Sequence, residues 1–248
     1  IQRAIDIINC FNESKQALSI NEISNELSLH INTTRGIINT LVYNGYLNHD
    51  PAENKYSLGL IFIPKAELVN LNSVDRVKNQ VRPYLIKISN KYQVSARLQL
   101  VSQYSIFTVD TENPEDARYL LLTRLNEQFP LNATASGKLY LYYSNKDKKE
   151  NYLNNINQHK YTENTIVDIL GLEKELLFIE QNGYSIENEE ISIGISSVAV
   201  PLFNDKNTFI GTISITAADP IVQKILTEVV AEMKEASSQI QAKFNARF

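Results

Sequence analysis

The chain has 248 residues, of which 43% are apolar and 21% charged, and its net charge is −4. This composition supports a substantial core, fits one large domain or a small one joined to a medium one, and excludes collagen-like and wholly disordered chains. No apolar run approaches the roughly 18 residues of a membrane span, and the acidic balance lacks the basic footprint common among nucleic-acid binders.

Residues 1–65 read as three short helices and a hairpin. From Gln2 to Phe11 the spacing places Ile5, Ile8 and Phe11 on one helical face, flanked by Ala4 and Ile7. Asn21 is the expected cap of a brief second helix carrying Ile23 and Leu27. A third helix starts at Asn32 or Thr33, turns Ile37, Ile38, Leu41 and Val42 inward, and stops at Asn44-Gly45. Residues 46–49 and 55–58 alternate like strands around the turn cluster Asp50-Pro51-Ala52-Glu53-Asn54. Three helices with a tight second connection and a hairpin form a winged helix-turn-helix pattern, which any small helical domain with a hairpin shares.

Residues 59–73 read as a linking helix, and Asp75 to Tyr92 as a second amphipathic stretch, kinked at Pro83 or starting its main run there. At Val94 the period changes to two. Val94, Ala96, Leu98 and Leu100 alternate with Ser95, Arg97 and Gln99, so a half-buried strand is expected, followed by a second at residues 106–109. Arg118 to Leu125 is a candidate third strand. Helices are expected at Thr134 to Tyr143, Lys146 to Leu153 and Asp168 to Asn182. Strands follow at residues 184–187, 197–203 and 209–216, then a long terminal helix from Pro220. The second half is therefore an α+β domain with a mainly antiparallel sheet.

Cys10 is the single cysteine, which excludes an intramolecular disulfide and a thiolate zinc site. The opening Ile1-Gln2-Arg3-Ala4 shows no export signal and no initiator methionine, so residues upstream and a cytoplasmic location are expected. No catalytic set stands out. His30, His49 and His159 are scattered, and Ser136 lacks a nucleophile elbow. Glu187, Glu189 and Glu190 read as a solvated acidic loop more readily than as an acid–base pair or a metal site. No cofactor and no metal are expected.

Several segments in order carry a family resemblance: Gln2-Arg3-Ala4-Ile5-Asp6-Ile7, Leu18-Ser19-Ile20-Asn21-Glu22-Ile23, Asn44-Gly45-Tyr46-Leu47 and Tyr56-Ser57-Leu58-Gly59. In the second half they are residues 129–138 (Phe129 to Lys138), Gly183-Tyr184-Ser185 with Glu189-Glu190, and residues 194–203 (Gly194 to Phe203). The chain resembles the IclR family of bacterial transcription regulators. The resemblance implies a winged helix-turn-helix DNA-binding domain at 1–58, a linker helix at 59–73 and a GAF-like effector-binding domain at 74–248. It also implies a homodimer or a dimer of dimers (a homotetramer) that binds double-stranded operator DNA, as a repressor or an activator, under control of a small molecule, often an organic or aromatic acid.

In a winged helix-turn-helix the third helix enters the major groove and presents its first turns to base edges. Those positions are Asn32, Thr33, Thr34 and Arg35, with Asn39 one turn on. Arg reads guanine, Asn reads adenine, and Thr reaches a base or a phosphate; Asn32 and Thr33 are also candidate helix caps. Gln2 and Arg3 on the first helix, and Lys55 and Tyr56 on the wing, are candidate phosphate contacts. Residues 1–65 hold five Lys or Arg against six Asp or Glu. A single module should therefore bind weakly, and two half-sites would compensate.

Ala133-Thr134-Ala135-Ser136-Gly137 starts a helix with small residues. That suits either a carboxylate at the helix N-terminus or plain tight packing. By resemblance the effector pocket is lined by Leu121, Phe129, Ala135, Ser136, Glu187, Ile195 and Ser197. The chain departs from the family at Asn132, where His is frequent, at Ser196-Ser197, where Arg-Cys is frequent, and at Glu187, where Asp is frequent. A small polar or carboxylate effector is expected. Two other classes of function stand beside this one. The first is a ligand-sensing or interaction protein that has lost DNA binding, and the second is an enzyme using the second domain.

Overall fold

The computed structural model describes residues 1–12, 15–67, 71–102, 105–116, 130–156 and 159–245. The chain divides into two compact units, one built on Ile1–Ser73 and the other on Val74–Leu122 with Gln128–Phe248.

The first unit contains α1 (Gln2–Asn9), α2 (Ile20–Glu26), α3 (Ile31–Tyr43), the hairpin β1 (Leu47–Asp50) and β2 (Lys55–Leu58), and α4 (Phe62–Glu67). Its core joins Ile7, Cys10, Phe11, Leu18, Ile23, Ile38, Leu41, Leu47 and Tyr56. The inward face of α1 therefore centres on Ile7 and Cys10. Ile5, placed inward by its spacing, is 44% exposed, because the two inward stripes on so short a helix differ by less than one turn. The cap of α2 is Ser19 rather than Asn21: Ser19 and Glu22 form a reciprocal capping box. His30, not Asn32 or Thr33, caps α3, its Nδ1 accepting from the Asn32 amide at 3.3 Å. The backbone of Leu18 pairs with Tyr56, adding a third short rung to the wing. Gly45 ends α3 with φ +76, and a Cβ on Gly59 would lie 1.9 Å from the Gly45 carbonyl oxygen. The hairpin can close on the helix end only because Gly59 has no side chain.

The expected helix at 59–73 is seen as α4, Phe62–Glu67, with residues 68–70 outside the described ones. The next helix, α5, spans Leu71–Tyr92, starts earlier than Asp75 and runs through Pro83 as a single 22-residue element. Pro83 is exposed, so its ring points away from the core side that holds Val81 and Leu85.

The second unit is a five-stranded antiparallel sheet in the order β4-β3-β7-β6-β5. Its strands are β3 (Ser95–Ser102), β4 (Ser105–Glu112), β5 (Ser185–Asn188), β6 (Ile195–Phe203) and β7 (Phe209–Ala218). The helices are α6 (Ala135–Tyr143), α7 (Lys146–Asn154), α8 (Ile169–Asn182) and α9 (Asp219–Asn245). The candidate strand at 118–125 lies outside the described residues. Asp168 caps α8 and Gly183 closes it in the left-handed conformation, as the Asn182-Gly183 pair predicts.

The two faces of this sheet differ. Alternation sends Ala96, Leu98, Val198, Val200, Ile213 and Ile215 onto α5 and α9, where they form the main apolar core. Glu232 on α9 pins α5 across this layer through Lys87 (2.8 Å), Lys91 (2.5 Å) and the Tyr92 hydroxyl (2.8 Å). Burial pushes its carboxyl up, but these three partners outweigh that and hold it at about 2. A depressed folded-state value gives stability that is present above the unfolded carboxylate pKa of about 4.3 and is lost as pH falls toward about 2. Thermal midpoints measured between pH 5 and pH 2 should therefore fall less steeply for Glu232→Gln than for the wild type. Equal slopes would remove Glu232 from the acid transition.

Candidate functional site

The other face of the sheet is unusually polar for a buried surface. In register, Thr111, Arg97, Ser214, Ala199 and Ser185 form one row across all five strands, and Thr216, Ser197 and Glu187 share the next. Ser95, Gln99 and Thr212 extend the set. The first turn of α6 packs on this face, with the Ser185 hydroxyl donating to the Ala135 carbonyl at 2.6 Å. Thr134 caps the helix by accepting from the Gly137 amide at 3.1 Å. A Cβ at Gly137 would lie 2.4 Å from the Leu131 oxygen, so glycine allows the preceding turn to fold back onto α6. The amides of Ala135 and Ser136 belong to the first turn, which has no intrahelical acceptors.

Two hydrogen-bond centres organise the face. Gln99 Oε1 accepts from the hydroxyls of Ser136 (2.5 Å) and Ser214 (2.8 Å), and the Thr212 hydroxyl stands 2.8 Å from Ser136 Oγ and 3.0 Å from Gln99 Oε1. Beside it, Arg97 is 7% exposed and donates from Nη1 to the Thr216 hydroxyl at 2.8 Å. Desolvation lowers its pKa to about 10, so the guanidinium remains a cation at neutral pH. Thr216 in turn meets the Ser197 hydroxyl at 2.9 Å, and Ser197 stands opposite Glu187 on β5, drawing its carboxyl pKa down against the effect of burial. Thr111, opposite Arg97 on β4, has a buried hydroxyl without a hydrogen-bond partner among the described residues.

Of the expected effector residues, Ala135 and Ser136 open α6 on this face, and Ile195, Ser197 and Glu187 share the face on β6 and β5. Leu121 and Phe129 lie outside the described residues. Glu187 and Glu190 are both buried rather than parts of a solvated loop. Glu187 Oε1 accepts from the amides of Glu190 (2.7 Å) and Ile191 (3.2 Å), while burial raises its carboxyl pKa. Lys138, fully buried on α6, explains Glu190. Its Nζ donates to Glu190 Oε1 (2.5 Å), Glu175 Oε2 (2.9 Å) and the Ile186 carbonyl (2.9 Å). One ammonium thus ties α6 to α8 and to the end of β5. Asn132 is also fully buried and is engaged by Tyr152 and the Ile166 carbonyl.

Sequence reasoning passed over Arg97, Gln99, Thr111, Thr212, Ser214 and Thr216. The alternation at Ser95, Arg97 and Gln99 marked them as one face, but alternation alone does not distinguish a face turned to solvent from one covered by a helix.

In the first unit, α3 presents an exposed stripe of Asn32, Arg35, Gly36, Asn39, Thr40 and Tyr43, the three-and-four spacing of one helical face. Tyr43, which sequence reasoning passed over, is 91% exposed. Thr33 is half-buried. Thr34 is fully buried, with its hydroxyl directed at the His30 carbonyl (3.4 Å), and so leaves the set of base-reading candidates. On the wing, Lys55 is half-buried. The ring of Tyr56 belongs to the core and stacks on His49, which corrects its assignment as a phosphate contact. Gln2 and Arg3 are exposed, and Gln2 bonds to Asp6 at 2.8 Å. Four of the six acids have partners of their own: Asp6 with Gln2, Glu22 in the α2 cap, Glu26 with Lys15 at 2.9 Å and Asp50 with the Ala52 amide at 2.8 Å. Among the described residues no group of His, Cys, Asp and Glu could hold a metal, and no helix is long and apolar enough to cross a membrane.

Residues 70–242 match the family described as "Bacterial transcriptional regulator IclR C-terminal", and residues 1–51 match the "IclR helix-turn-helix domain". The HTH-type transcriptional regulator XynR of Escherichia coli is 24% identical over 217 residues, covering 87% of this chain and 84% of that one. Among solved structures, an IclR transcriptional regulator from Silicibacter sp. TM1040 superposes with a TM-score of 0.80 at 16% identity, covering 98% of this chain and 95% of the other. An IclR homolog from Microbacterium hydrocarbonoxydans, solved with 4-hydroxybenzoate, gives a TM-score of 0.73 at 18% identity, covering 98% of each chain.

Proposed function

The chain belongs to the IclR family of bacterial transcription regulators, and on that basis we propose that it reads operator DNA through α3 and senses a small organic acid on the polar face of its sheet. Residues 1–58 serve as the reading domain, 59–73 as the link and 74–248 as the GAF-like sensing domain. The protein works in the cytoplasm as a homodimer or a dimer of dimers, without catalysis.

The observation that carries the effector assignment is Arg97, a buried cation bonded to the Thr216 hydroxyl on the sheet face where Ser136 of α6 meets Gln99. A carboxylate there would meet the guanidinium and the first-turn amides together. The complex of a structural neighbour with 4-hydroxybenzoate supports an acid. The density of hydroxyls, with the unpaired Thr111 among them, favours a polar acid over an aromatic one. Ligand stabilises one arrangement of the sensing domains, and the link conveys it to the spacing of paired reading helices, at a coupling of order 1–3 kcal/mol.

The DNA-reading half is tested by Arg35→Ala. Loss of one bidentate base contact should weaken binding to a selected duplex by about 1–3 kcal/mol, leaving the thermal midpoint and the response to acids unchanged. Because Arg35 is exposed, a drop in stability of comparable size would mean it is a structural residue.

A further inference from the structure

Gly36 is the sixth residue of the thirteen in α3, well inside the helix and away from both caps. A Cβ built there would meet nothing within 4 Å, and the position is exposed. Nothing within the described chain therefore requires glycine, although glycine inside a helix is destabilising relative to alanine. The other glycines of this unit differ: Gly59 abuts the Gly45 oxygen, and Gly45 has a positive φ. Around Gly36 stand Asn32, Arg35, Asn39 and Thr40, all exposed. Arg35 and Asn39 are longer side chains, so Gly36 is a notch in the middle of the polar stripe where the helix backbone itself is open. The Thr40 hydroxyl is turned back onto the Gly36 carbonyl at 3.0 Å, which draws its side chain along the helix rather than across the notch.

We propose that Gly36 is the point of closest approach between α3 and the floor of the DNA major groove, and that it sets how deeply the helix seats and so which base edges Arg35 and Asn39 reach. The proposal rests on the DNA-reading assignment of α3. A side chain at this position would lift the helix from the groove and weaken specific binding, while leaving contacts to phosphate largely intact.

The test is Gly36→Ala in the full chain. Thermal midpoint and affinity are measured for a duplex selected by the wild type and for a scrambled duplex of equal length, at one salt concentration. The expected result is a midpoint raised by about 2–4 °C, binding to the selected duplex weakened tenfold or more, and binding to the scrambled duplex changed less than twofold. Wild-type affinity of the variant for the selected duplex would overturn the proposal, and so would equal weakening on both duplexes. A change in oligomeric state on the variant, with DNA affinity per dimer unaltered, would also overturn it by assigning the notch to a protein contact. Failure of the wild type to select any sequence would overturn the DNA-reading assignment itself, an outcome distinct from a variant that binds normally.

Discussion

Replacing Lys138 by methionine is expected to cost about 3–5 kcal/mol of folding stability, because it leaves a buried acid without its cation. Lys138 is fully buried and satisfies Glu190, Glu175 and the Ile186 carbonyl at once. Glu190 is itself 3% exposed, and burial already raises its carboxyl pKa against the pull of Lys138. Without the ammonium that value rises further. A raised folded-state carboxyl destabilises at pH above its own pKa and stops doing so as pH falls and the group protonates. Lys138→Met should therefore regain part of its lost stability on mild acidification, and more of it than the wild type gains from the same carboxyl. The double variant Lys138→Met with Glu190→Gln should recover much of the loss at neutral pH, since it removes the unpaired charge. Chemical denaturation of the wild type, both single variants and the double variant measures the coupling. Additive losses would mean that the pair acts as two independent packing residues.

Arg97→Met should act mainly on effector sensing: the variant should fold and bind the selected duplex, with loss of effector sensing. Exchanging a buried cation for an apolar side chain of similar length removes a desolvation cost, one that here already lowers the guanidinium pKa to about 10. That relief offsets the bond given up to the Thr216 hydroxyl. A carboxylate effector that pairs with Arg97 would lose its buried partner, costing about 2–5 kcal/mol of binding. In a thermal-shift screen over small organic acids, the wild type should be stabilised by at least one acid that leaves Arg97→Met unmoved. The variant should still bind the selected duplex without acid. An undiminished shift in the variant would place the effector elsewhere.

The sequence made much of this architecture readable, and its shortfalls have identifiable causes. The winged helix-turn-helix was legible because helix ends, turn residues and the wing each carry local signals, such as Asn44-Gly45 and the turn at residues 50–54. Exact caps were less so: Ser19 competes with Asn21 of similar capping preference, His30 is not among the preferred caps, and the side-chain bonds decide. Ile5 and Ile7 are both apolar, and only packing against α3 selects Ile7. Thr34 resembles a base reader until the helix phase is fixed by Ile38 and Leu41, which carries it into the core.

The polar face of the sheet was legible only in part. The small residues around Ser136 pointed to a helix start of special geometry, and Gly137 shows the steric reason. Arg97, Gln99 and the Thr and Ser residues of β7 look in sequence like the wet side of an ordinary amphipathic strand. They become one continuous polar face only when β3, β7 and β6 are placed side by side. Lys138 gave no signal because a lysine three residues into a helix is expected at the surface. Its burial depends on Glu175 and Glu190, 37 and 52 residues away in sequence.

The most direct test of the account measures linkage between its two sites. An acid that stabilises the wild type but not Arg97→Met is titrated into a complex of the wild type with its selected duplex, at fixed salt. Operator affinity should change by about 5–150-fold, the range of a coupling of 1–3 kcal/mol, and the same acid should leave the Arg97→Met complex unaltered. An acid that saturates the wild-type protein while operator affinity stays constant would contradict the account.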